Sequence, residues 1–144
     1  MNLAIGTDHR GYELKEKLKK YFEDNNYNVK DFGTNSTESV DYPDYGKAVG
    51  ESVAKKESDF GIAICGSGIG ICIAADKVKG VRAVNANTEQ LAEMARKHNN
   101  ANVICIGSDF IDFDTAVKFI KIFIHTKFDG GERHERRIEE LDKI

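Results

Sequence analysis

The chain has 144 residues, of which 40% are hydrophobic and 31% charged, and a formal net charge of −3. That is enough chain for one domain to bury roughly two thirds of its unfolded surface without metal or disulfide staples, and it lacks the basic balance of a binder of nucleic acid or anionic membrane. Cysteines at 65, 72 and 105 form no C-x-x-C pair, no apolar run reaches the roughly 18 residues of a membrane span, and no basic-then-apolar leader opens the sequence, so the expectation is a single domain, 1–144, in the reducing cytoplasm.

Asn2 to Gly6 reads as a short apolar strand ending at Thr7-Asp8-His9-Arg10-Gly11, after which Leu14, Leu18, Tyr21 and Phe22 recur at helical spacing. Glu13 with Lys17 and Glu16 with Lys20 are i,i+4 pairs suited to a solvated outer face. Asn25-Asn26 ends that helix, and Asn28 to Phe32 forms a second strand that stops at Gly33. The only proline, Pro43, opens the first turn of a helix that carries Val49 and Val53 and reaches about Lys56. Asp59 to Cys65 is a third strand, Gly66 to Gly70 a turn, and Ile71 to Val78 an apolar helix. Gly80 breaks the chain before a fourth strand, Val81 to Asn85. Asn87 with Gln90 has the spacing of a capping box for a helix with Leu91, Met94, Ala95 and His98. Val103 to Gly107 is a fifth strand, and Asp112 caps a helix in which Phe113, Ala116, Val117, Ile120, Phe123 and Ile124 share a face.

Nearly all-apolar strands joined by helical crossovers predict a doubly wound, Rossmann-like α/β fold: a five-stranded parallel sheet in a three-layer α/β/α sandwich. Beyond Gly130-Gly131 the charged tail Glu132-Arg133-His134-Glu135-Arg136-Arg137 has too few apolar residues for a helix stable by itself, so it packs on its own domain or on a partner's.

In such a sheet ligands bind beyond the carboxyl ends of the strands, an edge that here carries Asp8, His9, Cys65 to Gly70 and Gly107. His98-Asn99-Asn100 falls at the far end of its helix, unless the helix stops early or a second chain supplies it. The glycine turn exposes N–H groups at a helix start, where an anion is stabilised, a thiolate included. Its spacing excludes three familiar uses. Ile71 stands where a dinucleotide fingerprint needs its third glycine and no acid follows about 20 residues on; no Gly-Lys-Ser/Thr ends the run; and the strand ends in cysteine rather than the aspartate of a phosphorylated receiver.

A thiol, the Ser67 hydroxyl and glycine amides together suit proton abstraction beside a carbonyl, the thiolate taking the proton while donors hold the enediolate oxygen. A free cysteine ending a buried strand is more commonly a small apolar core residue, and Cys72 and Cys105, inside apolar runs, are assigned to the core. Arg133 and Arg137 share a helical face and are spaced to grip a phosphate. From composition alone a solvated charge run with Glu132, Glu135, Glu139 and Glu140 is the better account. Asp8-His9 equally suits a polar helix cap. No His, Cys and carboxylate spacing fits a metal, and none is expected.

Thr7-Asp8-His9-Arg10-Gly11, Asp41-Tyr42-Pro43, Ile64-Cys65-Gly66-Ser67-Gly68-Ile69-Gly70, His98-Asn99-Asn100-Ala101-Asn102-Val103 and Gly130-Gly131-Glu132-Arg133-His134, in that order, resemble the ribose-5-phosphate isomerase B family along nearly the whole chain. The resemblance implies a cofactor-independent aldose-ketose isomerase that interconverts ribose 5-phosphate and ribulose 5-phosphate. It implies Cys65 as the base, Ser67 and the turn of Gly66, Gly68, Ile69 and Gly70 as oxyanion donors, and His98 in ring opening. By the same resemblance Asp8 and Asn99 would orient sugar oxygens, His9, Arg133 and Arg137 would bind phosphate, and Tyr42 would lie near the sugar. It further implies a homodimer, or a tetramer of two dimers, with the active site at the subunit interface.

Three positions depart from the family pattern. Asp109 stands where many relatives carry a phosphate-contacting arginine, a charge that Arg10 or Lys127 could replace; Asp76 stands where asparagine is common; and Asn85-Ala86 replaces a more apolar pair. These changes leave open a hexose 6-phosphate (allose or galactose 6-phosphate) as substrate, or a non-catalytic sugar-phosphate-binding subunit.

Overall fold

Alternate strand residues point to opposite faces of a sheet, and in this chain both sets are apolar, so the sheet must be covered twice. The computed structural model describes residues 1–144. In chain order it contains β1 (Asn2–Thr7), a 3-10 turn (His9–Gly11), α1 (Tyr12–Asp24), β2 (Asn28–Asp31), α2 (Tyr42–Ala54), β3 (Phe60–Cys65) and α3 (Ile69–Asp76). There follow β4 (Ala83–Val84), α4 (Glu89–Asn99), β5 (Val103–Gly107), α5 (Phe113–His125) and α6 (Glu132–Asp142). The five strands are all parallel in the order β2-β1-β3-β5-β4. One face, with Leu3, Ile5, Ile62, Ile64, Ile104 and Ile106, packs on α1, α4 and α5 through Leu18, Phe22, Ala92, Ala95, Ile120 and Phe123. The other, with Ala4, Ala63, Cys65, Val103 and Cys105, packs on α2 and α3 through Val49, Val53, Ile71 and Ala75. The expected three-layer doubly wound architecture is present.

β1 leads into α1 on one face and β3 into α3 on the other. Because the two connections diverge, a crevice opens between the carboxyl ends of β1 and β3, the switch point at which doubly wound sheets bind ligands. The register sets Thr7 beside Ile64 and Cys65 beside Gly107, so Asp8 to Arg10, the glycine turn and the residues after β5 meet there.

The departures from the sequence reading are local. The fourth strand shrinks to two residues, and the amides ahead of it are taken elsewhere: Val81 N donates to Val78 O at 3.1 Å and Arg82 N to Asn102 Oδ1 at 2.8 Å. α4 starts at Glu89, so its cap is Thr88, whose Oγ1 accepts from Leu91 N at 3.0 Å, and Asn87 is outside the helix. Asp112 caps α5 as expected, accepting from Thr115 N at 2.9 Å. The Glu13–Lys17 and Glu16–Lys20 pairs do not form. Lys20 bonds Asp24 at 2.9 Å, and Glu16 turns to Lys15.

Lys15 is the exception on an otherwise solvated face. Its side chain is fully buried, and its Nζ donates to Asp31 Oδ2 and Thr34 O, both at 2.8 Å, and to Asn35 Oδ1 at 3.3 Å. This cation ties α1 to β2 and to the loop whose Gly33 and Thr34 exchange backbone hydrogen bonds with Thr7. Burial alone would raise the Asp31 carboxyl, but hydrogen bonds from Lys15 and Gly33 and the Lys15 charge outweigh it and hold Asp31 below the usual carboxylate range. A depressed carboxylate stabilises the fold above its unfolded pKa, about 3.9, and that stability is lost as pH falls through the lower folded value. Removing one partner of a buried pair costs about 3–5 kcal/mol. Lys15→Met is therefore expected to lower stability by about 3 kcal/mol, the low end because Lys19 also reaches Asp31, and to flatten the acid limb of a stability-against-pH curve measured by urea melts. A variant as stable as the parent at pH 7 would refute this role.

Candidate active site

Cys65 ends β3 at 4% exposure, its Sγ accepting the Gly68 N–H at 3.2 Å. The chain can fold back this tightly because Gly68 has φ +77°, a left-handed conformation natural to glycine, and because a Cβ there would stand 2.9 Å from the Gly107 nitrogen. Ser67, exposed at the tip, accepts the Ile69 N–H on its Oγ at 3.1 Å, and its carbonyl accepts from Asn85 Nδ2 at 3.3 Å. The Asn85 departure thus brings an amide to the turn. Gly70 lies against the Tyr42 ring, where a Cβ would stand 2.6 Å from Cζ, so the start of α2 closes over the start of α3. An N–H donated to sulfur stabilises negative charge on it, and the α3 N-terminus faces the same space.

The β1 side of the crevice is equally ordered. Asp8 is buried, and its Oδ1 accepts from the amides of Arg10 at 3.0 Å and Gly11 at 3.4 Å, leaving Oδ2 for a ligand. His9 Nδ1 accepts the Val40 N–H at 3.2 Å, which places the neutral ring's proton on Nε2. Both are helix-cap residues, as one sequence reading had it, and both still border the crevice. Arg10 forms an ion pair with Asp109, so the cation weighed as a replacement at that position is held by the acid itself.

His98, Asn99, Arg133 and Arg137 are not in this group. α4 ends where β5 begins, so His98 and Asn99 lie at the opposite edge of the sheet from Cys65. Arg96 fixes that helix end: its guanidinium reaches Thr126 O at 3.2 Å and Asn100 Oδ1 at 2.8 Å and stacks on the Phe60 ring at 4.7 Å. α6 packs on the same end of its own chain, with Ile138 buried and Asp142 accepting from Arg82 at 2.8 Å. It brings His134 into a stack on His98, ring centroids 4.8 Å apart and 6° from parallel. His134 was absent from the sequence-derived candidates. Desolvation, then the His98, Arg133 and Arg137 charges, hold it below the ordinary histidine value against Asp129. Arg133 and Arg137 are exposed one turn apart and form no ion pair.

Each chain therefore carries two separate groups of polar side chains: Cys65, the glycine turn and His9 at one sheet edge, and the stacked imidazoles with two unpaired arginines at the other. No group of three or more His, Cys, Asp or Glu side chains converges as a metal site, and no helix is long and apolar enough to cross a membrane.

A thiol beside a glycine turn, at the switch point of a doubly wound sheet, is the kind of site that α/β enzymes present to small molecules. Residues 3–141 match the Ribose/Galactose Isomerase family. Ribose-5-phosphate isomerase B of Escherichia coli is 38% identical over 142 residues, 99% of this chain and 95% of the relative. The crystal structure of a ribose 5-phosphate isomerase from Thermotoga maritima is 45% identical with a TM-score of 0.96, covering 99% of this chain and 98% of that one. Ribose-5-phosphate isomerase B from Mycoplasma genitalium, solved with bound ribulose-5-phosphate, is 40% identical with a TM-score of 0.93, covering 99% and 94%. The chain belongs to the ribose/galactose isomerase family and is an isomerase.

Proposed function

We propose that the protein interconverts D-ribose 5-phosphate and D-ribulose 5-phosphate through an enediolate, in a site shared between two copies of the chain. The observation that carries this reading is the Cys65 thiol seated under the Gly68 N–H at the mouth of an anion-binding turn. With the open-chain sugar in the crevice, Cys65 as thiolate removes the C2 proton and returns it to C1, while the O2 hydroxyl proton passes to O1. The turn amides and the Ser67 hydroxyl hold the oxygen on which charge develops, in a position fixed before the reaction starts. Asp8 Oδ2 orients a sugar hydroxyl, and Tyr42 closes the sugar end. His98 and Asn99 of a second copy reach the ring oxygen and neighbouring hydroxyls, His98 exchanging the proton that opens the furanose, with His134 stacked behind it. Arg133 and Arg137 of that copy, with His9, hold the phosphate through charge-assisted hydrogen bonds.

The test is purified protein in chelator, assayed by NMR for conversion of ribose 5-phosphate and for deuterium incorporation at C2 in deuterium oxide. Absence of both, with sugar phosphate bound, would leave a binding subunit in place of an enzyme. A panel with allose and galactose 6-phosphates ranks substrates by kcat/KM, and the pentose is expected to lead. Arg137→Ala is expected to raise KM about tenfold or more with a smaller fall in kcat, because a phosphate contact is present in both ground and transition states. A fall in kcat at unchanged KM would remove Arg137 from the phosphate site.

A further inference from the structure

The Arg10–Asp109 pair lies across the catalytic turn. A methyl group at Gly66 would stand 2.8 Å from Arg10 Nε, 3.0 Å from Arg10 Cδ and 3.0 Å from Asp109 Oδ2. Both backbones are tied down. Asp8 accepts the Arg10 N–H, Asp109 N donates to Gly66 O at 3.0 Å, and the Ser108 hydroxyl stands 3.2 Å from the carbonyl oxygens of Arg10 and Cys65. The side chains are 57% and 39% exposed, and an ion pair this open to water contributes little to stability. Its effect is to hold a guanidinium in one orientation over Gly66. One Nη is committed to Asp109, leaving the Nε edge and the other Nη as donors.

Resting on the isomerase reading, we propose that Arg10 is a substrate-specifying cation: pre-positioned by Asp109 over Gly66, it donates to the substrate's phosphate together with His9. Asp109 without Arg10 would leave a bare negative charge at the entrance of a site for a dianion. Arg10 therefore both cancels that charge and contributes donors of its own, and the two roles separate by mutation. The arrangement favours a phosphorylated chain short enough for its phosphate to reach Arg10 while its carbonyl end rests at Cys65.

The probe is ribitol 5-phosphate, a polyol phosphate that cannot isomerise, titrated by calorimetry into the whole protein alongside KM and kcat for ribose 5-phosphate. Arg10→Ala is expected to weaken ribitol 5-phosphate binding at least about tenfold and to raise KM by more than it lowers kcat. The double variant Arg10→Ala/Asp109→Asn is expected to stay at least about fivefold weaker than the parent, because the donors remain missing. Double-variant binding restored to the parent's level would make Arg10 only a neutraliser of Asp109 and would overturn the proposal. So would unchanged binding in Arg10→Ala. Arg10-dependent binding in a protein that fails to isomerise ribose 5-phosphate would sink the isomerase reading and leave the Arg10 contact standing.

Discussion

Cys65→Ala is expected to lower kcat for ribose 5-phosphate by about 10²–10⁴-fold, the range lost with a positioned general base. Binding of ribitol 5-phosphate and the fold should survive. The thiol is small and sits at the end of β3 rather than in its middle, so deleting one sulfur atom costs on the order of 1 kcal/mol. Cys65→Ser sharpens the test. A hydroxyl in the same place can still accept the Gly68 N–H, yet it remains protonated at neutral pH and makes a poor base. Both variants should therefore fold, bind and fail to exchange the C2 proton with deuterium oxide. If Cys65→Ala kept more than about a tenth of the parent's exchange rate, the base would lie elsewhere. Loss of binding together with turnover would instead mean that the variant had rearranged the turn.

The sheet and the glycine turn were legible because local sequence decides both. Leu3, Ala4 and Ile5, or Ile62, Ala63 and Ile64, are apolar on both faces, which only a doubly covered strand tolerates, and Gly66 and Gly68 mark the turn, Gly70 already lying in α3. What escaped depends on partners remote in sequence. Lys15 sits in the charged run Glu13-Leu14-Lys15-Glu16-Lys17 and looks solvated, yet Asp31 and Thr34, on a different element, draw it inside. β4 reads as five residues until Val78 and Asn102 take the amides of Val81 and Arg82. Asn87 loses the cap of α4 to Thr88, a one-residue shift that spacing alone does not resolve. The His98–His134 stack joins residues 36 positions apart, which periodicity cannot see. By sequence Arg10 and Lys127 are both candidate cations for the position of Asp109, and only the fold shows that Arg10 is the one that pairs with it.

Two individually inactive variants are expected to restore each other when mixed. Within one chain Cys65 and His98 lie toward opposite ends of β5, whose five residues span roughly 13 Å at about 3.3 Å per step, so His98 at the end of α4 does not reach its own Cys65. A two-fold dimer that sets the carboxyl edge of one crevice against the α4–α6 end of its partner completes both sites at once, since an isologous interface makes each contact twice. Apolar residues left exposed on α3 and α4, Ile69, Ile73, Leu91 and Met94, are available to line such an interface. In a heterodimer of Cys65→Ala with His98→Ala, one site loses both groups and the other keeps both. Random reassortment puts half the dimers in that state, each with one working site of two, so activity should rise from near zero to roughly a quarter of the parent's. The experiment is unfolding and refolding of an equimolar mixture, with exchange verified by a mass tag on one variant. Full exchange without recovered turnover would show that Cys65 and His98 do not act across an interface. Recovery near a quarter would put the base of one chain and the ring-opening imidazole of the other in a single site, which neither chain's own geometry allows.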